Sequence, residues 1–138
     1  MKQKVSAGLA IVYDHRILLV HPTNASWYNS YGIPKGGVEQ GETYLDAAIR
    51  ETREETGINI PKSLIDKTEH HFSLSSKKYK YNKTVYYYVV KIDDLSQIGL
   101  KDLVIPKRQL QLKEVDWAGF LSMSEINKRV TPSQATLI

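Results

Sequence analysis

The sequence of 138 residues contains no cysteine, which excludes disulfide bonds, zinc sites built from thiolates and cysteine nucleophiles. No apolar run approaches the roughly 18 residues that a membrane-spanning helix needs. The opening residues 1–4 lead directly into strand-like sequence, without the hydrophobic region of a signal peptide. Repeats, linkers and low-complexity tracts are also missing. These features predict a cytoplasmic protein that does not bind a membrane.

The length and composition are those of one globular domain. The hydrophobic content is 41% and the charged content is 25%, as in an ordinary globular protein. A chain of 138 residues fits one core and leaves no room for a second domain of usual size. We therefore expect a single domain over residues 1–138, whereas the composition does not predict an oligomeric state.

The net charge of +4 conceals two segments of opposite sign. Residues 39–58 contain six acidic and two basic side chains, a balance of −4, whereas residues 67–91 contain six lysines and one glutamate, a balance of +5. A basic segment is often only a solubilising surface. Together with an acidic metal site, it also suits a polyanionic, metal-bound substrate such as a polyphosphate.

The stretch from Gly36 to Ile58 predicts a glycine-rich loop followed by a helix of about four turns. Thr43 is placed to cap the start of this helix, with Asp46 three residues later as its partner. Gly57 is placed to end the helix in the left-handed conformation that glycine tolerates. At the helical period, one stripe is predicted to face the core: Leu45, Ala48, Ile49, Thr52 and Thr56.

Glu51, Glu54 and Glu55 form a second stripe beside the first, at positions i, i+3 and i+4. Like charges this close together repel one another, so the stripe calls for a compensating cation. Carboxylates are hard oxygen ligands, which suit Mg²⁺ or Mn²⁺. For the three glutamates taken alone, a solvated acidic face is the alternative.

Elsewhere the sequence alternates between strands and turns. Strands are predicted over residues 5–13, 17–20, 68–75, 84–92 and 114–120. Residues 93–113 indicate a loop or a short edge strand. Ser122 followed by Glu125 predicts the start of a helix, and residues 131–134 predict a second short one. The tyrosines between 79 and 88 alternate, which favours cross-strand packing, with base stacking as the alternative.

The spacing within residues 36–58 resembles the Nudix box. That pattern is Gly, five residues, Glu, seven residues, then Arg-Glu-aliphatic-x-Glu-Glu-x-Gly-aliphatic. The matching residues are Gly36, Glu42, Arg50, Glu51, Glu54, Glu55, Gly57 and Ile58. Thr52 departs from the pattern, because the family has an aliphatic residue there. We expect its hydroxyl to bond to a backbone carbonyl one turn earlier.

The resemblance implies an α/β (α+β) fold, with a mixed β-sheet between helices. It also implies a metal-dependent pyrophosphohydrolase, which splits a nucleoside diphosphate from another group when water attacks phosphorus. The implied ligands of the Mg²⁺ or Mn²⁺ ion are Glu51, Glu54, Glu55 and the carbonyl of Gly36. Arg50 resembles the family arginine that orients a catalytic glutamate, and Glu42 would support the loop or an outer metal.

Some relatives use a glutamate on a later loop as the general base, and Glu114 is the candidate here because it precedes Trp117. Glu51 in the box itself is the alternative. Lys35 is a candidate phosphate contact because it directly precedes the glycines. The candidate substrate contacts in the basic segment are Lys78, Tyr79 and Lys80.

The expected substrate is a dinucleoside polyphosphate or a nucleoside triphosphate. One alternative is removal of pyrophosphate from the 5′ end of RNA. Another is a catalytically silent Nudix module that binds a nucleotide. The intact glutamates argue against the silent module, because silent relatives tend to lose them.

Overall fold

A computed structural model describes residues 2–25, 30–76 and 81–127. In chain order, its strands and helices are β1 (Lys2–Tyr13), β2 (Arg16–Pro22), β3 (Lys35–Gly37), α1 (Tyr44–Thr56), β4 (His70–Ser76), β5 (Tyr81–Ile92), β6 (Val115–Ser122) and α2 (Met123–Ile126). Short 3₁₀ turns lie at Lys62–Leu64, Leu95–Ile98 and Lys107–Gln109. Within these three described ranges, no helix is long and apolar enough to cross a membrane.

The strands form one mixed sheet in the order β4-β5-β1-β2-β6, and β3 also pairs with β1. One edge of β1 runs parallel to β5 along its whole length. The other edge pairs antiparallel with β3 and then with β2. β4 and β6 complete the two sides of the sheet as antiparallel neighbours. The predicted mixed sheet is therefore confirmed.

Alternating side chains of β1 build a core on each face of the sheet, as the two-residue period of a strand requires. On one face, Leu9 and Ile11 pack with Ala47 and Ala48 of α1. On the other face, Ala10 belongs to a second cluster that contains Ile17, Leu121 and Ile126. Because Ile126 lies in α2, the sheet is placed between the two helices.

The observed elements differ from the predicted ones mainly at their ends. β1 begins before the predicted strand, and β5 begins at Tyr81 instead of residue 84. The turn between β1 and β2 consists of Asp14 and His15, whose φ angles are 48° and 59°, as a tight two-residue hairpin requires. Residues 93–113 contain two 3₁₀ turns. The helix predicted at residues 131–134 lies outside the described part of the chain.

Candidate active site

Local hydrogen bonds hold α1 at both ends. The Thr43 hydroxyl accepts from the Asp46 N–H at 3.0 Å. Gly57 has a φ of 73°, and its N–H donates to the Arg53 carbonyl at 2.8 Å. Thr52 is fully buried, and its hydroxyl donates to the Ala48 carbonyl at 2.8 Å. The bond expected for the residue that departs from the box is therefore present, and the helix presents its carboxylates from fixed ends.

Arg50 joins the acidic side chains at one end of the site. Its Nε and Nη2 donate to the two carboxylate oxygens of Glu42 at 2.7 and 3.0 Å. Its Nη1 donates to Glu51 at 2.8 Å and to Glu54 at 3.1 Å. Nη2 also donates to the Gly37 carbonyl at 2.9 Å. Because charge-assisted bonds are strong and directional, one guanidinium fixes the positions of three carboxylates and the loop.

The contacts of Arg50 also set the charge of Glu42. The hydrogen bond from Arg50 holds the pKa of the Glu42 carboxyl below its usual range. Glu42 in turn accepts from the Glu39 N–H at 3.1 Å. The sequence left two roles open for Glu42, support of the loop or of an outer metal, and both stay predictions.

Glu51 and Glu55 are buried against β3, with exposed fractions of 9% and 7%. Glu55 Oε1 accepts from the backbone N–H of Lys35 at 3.3 Å. The Glu51 carboxylate lies against Gly36 so closely that a Cβ at this position would overlap it. Only glycine therefore allows the loop and this carboxylate to meet as they do.

Burial raises the pKa of both glutamates, because a poorly solvated site disfavours the charged form. The pKa of Glu55 rises to about 8, opposed by the charge of Lys35 and reinforced by that of Glu51. The pKa of Glu51 is also raised by burial, against the hydrogen bond from Arg50. A cation bound beside these two glutamates would therefore favour their ionised forms.

Glu114 is exposed and directly precedes β6. Its backbone carbonyl accepts from the Thr23 N–H at 2.9 Å. Two residues later, Asp116 Oδ1 lies 2.6 Å from Nδ1 of the fully buried His21. Burial is the main cause of the raised pKa of Glu55, and the charge of Glu114 adds to it. Glu114 thus lies within electrostatic range of the box glutamates.

The charges of two lysines interact with these carboxylates. Burial lowers the pKa of Lys35, the charge of Lys83 lowers it further, and Glu55 opposes the shift. Burial also lowers the pKa of Lys83, as does the charge of Lys4, and Glu55 again opposes the shift. The sequence singled out Lys35 as a candidate but not Lys83. Its place in the basic segment was the only signal, and that signal does not specify the face of the strand.

The other predicted substrate contacts, Lys78, Tyr79 and Lys80, lie outside the described residues and stay predictions. Nearby, Tyr86 stacks on Tyr44 of α1, with ring centroids 4.2 Å apart. This tyrosine therefore packs against the helix, in line with the structural role that the alternation favoured.

The model of the NUDIX domain family matches residues 2–138. The chain belongs to the Nudix family. The spacing of the box thus predicted the family correctly. Two curated proteins are similar in sequence to this Nudix chain. An ADP-ribose pyrophosphatase of Methanocaldococcus jannaschii is 45% identical over 49 residues, which make up 36% of this chain and 28% of the relative.

The second relative is an RNA pyrophosphohydrolase of Sulfurovum sp. strain NBC37-1. It is 30% identical over 109 residues, which make up 75% of this chain and 65% of the relative. The Nudix chain therefore spans less than two thirds of the length of each of these two relatives. Both names refer to hydrolysis of a pyrophosphate linkage, which agrees with the predicted type of enzyme.

Solved structures share the fold of this Nudix chain. A MutT NUDIX hydrolase from Burkholderia pseudomallei gives a TM-score of 0.74 at 20% identity and covers 99% of this chain and 95% of its own. A C. elegans Ap4A hydrolase, solved as a binary complex, gives 0.67 at 22% identity and covers 97% and 91%. At such low identities the likeness shows the fold alone.

Nudix hydrolases generally need divalent metal ions. The candidate donors are the carboxylate oxygens of Glu51, Glu54 and Glu55, of which Glu51 lies against Gly36. Hard oxygen donors on acids whose pKa is raised by burial fit a divalent cation chemically. In the described part of the chain, no three His, Asp or Glu side chains already stand at metal-ligand spacing. Arg50 holds one oxygen of Glu51 and one of Glu54.

Proposed function

We propose that this protein is a metal-dependent pyrophosphohydrolase that acts on a nucleoside diphosphate linked to another group. The proposed substrate is a dinucleoside polyphosphate or a nucleoside triphosphate, and the proposed ion is Mg²⁺ or Mn²⁺. The observation that carries the proposal is the placement of two buried carboxylates on β3, Glu51 against Gly36 and Glu55 on the Lys35 N–H. Arg50 joins Glu51 to Glu54. The names of the two curated relatives support it.

We assign a separate role in the reaction to each group of residues. Glu51, Glu54, Glu55 and the Gly36 carbonyl would hold the ion. When bound, the ion neutralises phosphate oxygens and lowers the pKa of water. Arg50 keeps the carboxylates oriented through its hydrogen bonds. Lys35, whose backbone N–H contacts Glu55, would bind a phosphate of the substrate through its ammonium group.

The hydrolytic step needs a group that accepts a proton from water. We assign it to Glu114, which is exposed and within electrostatic range of the box glutamates. As the water oxygen bonds to phosphorus, one proton passes to a Glu114 carboxylate oxygen, and the bridging P–O bond breaks with its electrons leaving on the departing phosphate. Glu51 is the alternative, but its Oε1 already accepts from Arg50 at 2.8 Å.

Release of phosphate products from a panel of nucleotides with Mg²⁺ tests the activity. We expect turnover of dinucleoside polyphosphates or nucleoside triphosphates by the wild type and its loss in Glu54→Gln. Absence of turnover over the whole panel would favour the silent binding module. A Glu114→Gln variant, compared with Glu51→Gln over a range of pH, distinguishes the bases. The true base variant loses the acidic limb of the pH profile.

Removal of pyrophosphate from RNA is the second candidate function, since one relative is named an RNA pyrophosphohydrolase. Binding of a strand through many phosphates releases counterions, so kcat/KM would fall steeply with salt. We expect a shallow dependence for diadenosine tetraphosphate. The Lys78→Ala, Lys80→Ala double variant should mainly raise KM for that nucleotide. Faster turnover of 5′-triphosphorylated RNA, with a steep salt slope abolished by the double variant, would favour RNA.

We also propose a cytoplasmic location, which the lack of cysteine supports. Cell fractionation tests it.

A further inference from the structure

The turn that carries Glu114 is closed by its own backbone. The Glu114 N–H donates to the Gln111 carbonyl at 2.9 Å, and the Val115 N–H donates to the same oxygen at 2.8 Å. We call residues 111–114 the Glu114 turn. Because Glu114 itself is exposed, the position of its carboxylate depends on how firmly the backbone of this turn is held.

One side of the Glu114 turn is bound to α1. The Gln111 N–H donates to the Glu55 carbonyl at 3.1 Å. Two residues earlier, Nε2 of Gln109 donates to the Thr56 carbonyl at 3.3 Å. Both carbonyls lie in the last turn of α1, where a helix leaves its carbonyls without donors of its own. The backbone of Glu55 therefore anchors the turn, while its carboxylate accepts from β3.

Thr23, the residue directly after β2, binds the other side of the turn. Its Oγ1 donates to the Leu112 carbonyl at 2.8 Å, and its N–H donates to the Glu114 carbonyl at 2.9 Å. One residue thus contacts the turn at two points. The hydroxyl bond is the one that a change of side chain removes, because the N–H belongs to the backbone.

An irregularity in the pairing of β2 with β6 lies beside Thr23. The register shifts between His21 and Pro22, and Asp116 of β6 is skipped in the pairing. Such bulges re-aim side chains and are frequent next to active sites. Here the Asp116 carboxylate lies 2.6 Å from Nδ1 of the buried His21. This contact ties the end of β2, which carries Thr23, to the strand that follows Glu114.

We propose that Thr23 is a positioning residue for Glu114, and that it holds the turn where the Glu114 carboxylate can take a proton from the attacking water. The inference rests on the proposed function and adds to it a residue from outside the glycine-rich loop and α1. Thr23 acts through the backbone of the turn, so its loss should slow the chemical step and leave nucleotide binding nearly unchanged. Support of a surface loop alone would affect stability without a selective effect on kcat.

Thr23→Val and Thr23→Ser form the test pair, since valine has the shape of threonine without the hydroxyl and serine keeps the hydroxyl. For the preferred nucleotide of the panel, Thr23→Val should lower kcat by about 10-fold, within the range for a misplaced catalytic group. KM should change by less than about 3-fold, because ground-state binding is retained. Thr23→Ser should keep kcat within about 3-fold of the wild type, since its hydroxyl can donate to the same carbonyl.

Thr68→Val is the matched control. Thr68 is an exposed threonine that precedes β4, and its N–H donates to the Asp66 carboxylate at 2.9 Å. The same chemical change at this position should leave kcat and KM unchanged. Circular dichroism and melting temperatures establish that all variants are folded. An equal loss of kcat in Thr68→Val, or a loss that Thr23→Ser shares in full, would overturn the proposal.

A double-mutant cycle with Glu114→Gln shows whether Thr23 acts through Glu114. In the Glu114→Gln background, Thr23→Val should change kcat by less than about 2-fold, because residues that act as a unit are not additive. The same loss of about 10-fold in both backgrounds would overturn the proposal. Normal kcat in Thr23→Val, with Glu114→Gln impaired, would show that the positioning role alone is wrong. Normal kcat in Glu114→Gln would refute the assignment of the base and the positioning role together.

Hydrogen exchange gives a readout that needs no turnover. The amides of Glu114 and Val115 close the turn, and NMR should show them exchanging about 10-fold faster in Thr23→Val, the scale for one lost hydrogen bond. Exchange that is unchanged from the wild type would overturn the proposal. If the wild type hydrolyses no nucleotide, the proposed function fails, while the exchange rates still decide whether Thr23 holds the turn.

Discussion

Glu42 and Glu55 lie at opposite ends of one site, and their surroundings treat their charges in opposite ways. Glu42 accepts two bonds from Arg50, and its pKa is lowered. Glu55 is buried against β3, and its pKa is raised to about 8. One end of the site is therefore already neutralised by a guanidinium. At the other end, burial disfavours the charged form of Glu55, and a bound cation would favour it.

The difference teaches why the box needs both arginine and several glutamates. An arginine near every carboxylate would neutralise the negative charges, and the site would no longer attract a metal ion. Without an arginine, the acids would repel one another and lose their orientation. Glu51 stands between these extremes, because it is buried and also accepts from Arg50 at 2.8 Å.

The largest effect is expected at Glu54. Glu54→Gln should lower kcat by at least about 100-fold, the scale for losing a principal electrostatic element. The fold should persist, because the side chain is 48% exposed and the change relieves repulsion. Turnover and thermal unfolding are compared with those of Glu39→Gln, whose carboxylate is 71% exposed and 3.8 Å from Arg50. Near-normal turnover of Glu54→Gln at saturating Mg²⁺ would show that Glu54 is not a ligand.

Removal of Arg50 should abolish the hydrogen bonds that orient Glu42, Glu51 and Glu54. We expect Arg50→Ala to lower kcat/KM by about 10- to 100-fold, as lost outer-shell partners do. The free energy of unfolding should fall by about 1–3 kcal/mol, less than for a fully buried pair because the site is partly solvated. Arg50→Lys should not restore activity, since an ammonium cannot reproduce the fork of bonds to Glu42. Unchanged kinetics with a small loss of stability would show that Arg50 forms only a surface ion pair.

Gly36 and Gly37 form a matched pair for the buried end. A Cβ at Gly36 would overlap the Glu51 carboxylate, whereas a Cβ at Gly37 meets nothing within 4 Å. Gly36→Ala should therefore lower kcat/KM by about 10-fold through displacement of Glu51, and Gly37→Ala by less than 2-fold as an unobstructed surface change. Steady-state kinetics of both variants measure this difference. Equal effects would mean that the contact does not position Glu51.

The raised pKa of Glu55 predicts how stability depends on pH in the metal-free protein. The folded chain keeps a proton on Glu55 that the unfolded chain releases above the usual pKa of 4.5. This stabilising contribution is complete below about pH 4.5 and is lost as the pH rises through about 8. The melting temperature of the metal-free wild type should therefore fall as the pH rises over this range. Glu55→Gln should flatten the curve, and an identical slope in both proteins would contradict the prediction.

The parts of the site that lie close together in the sequence could be predicted from it. The spacing of Arg50, Glu51, Glu54 and Glu55 specifies one helix face, and caps such as Thr43 act within a few residues. Those features need only the geometry of a helix. The stripe of glutamates was therefore predicted as a unit, with Gly36 assigned by resemblance to the family.

The remaining features depend on contacts between distant segments. The face that carries Lys83 is set by the parallel register of β5 with β1, which no local pattern encodes. The stretch of residues 93–113 follows tertiary hydrogen bonds, such as Gln111 N–H to the Glu55 carbonyl at 3.1 Å and Ile105 N–H to the Ala118 carbonyl at 2.9 Å. Neither bond produces a periodic sequence signal, so the segment could not be predicted beyond a loop or edge strand.

The affinity for Mn²⁺ tests the comparison of the two ends most directly. Binding to the wild type, Glu55→Gln and Glu42→Gln is titrated by electron paramagnetic resonance at about pH 8.5, above the pKa of Glu55. We predict that Glu55→Gln weakens Mn²⁺ binding by more than about 10-fold. Loss of a direct ligand should cost more than loss of an outer-shell partner, whose effect on metal affinity starts at about 10-fold. Glu42→Gln should weaken Mn²⁺ binding less than Glu55→Gln does, because Glu42 contacts Arg50 and the loop backbone. A larger loss in Glu42→Gln than in Glu55→Gln would contradict the account.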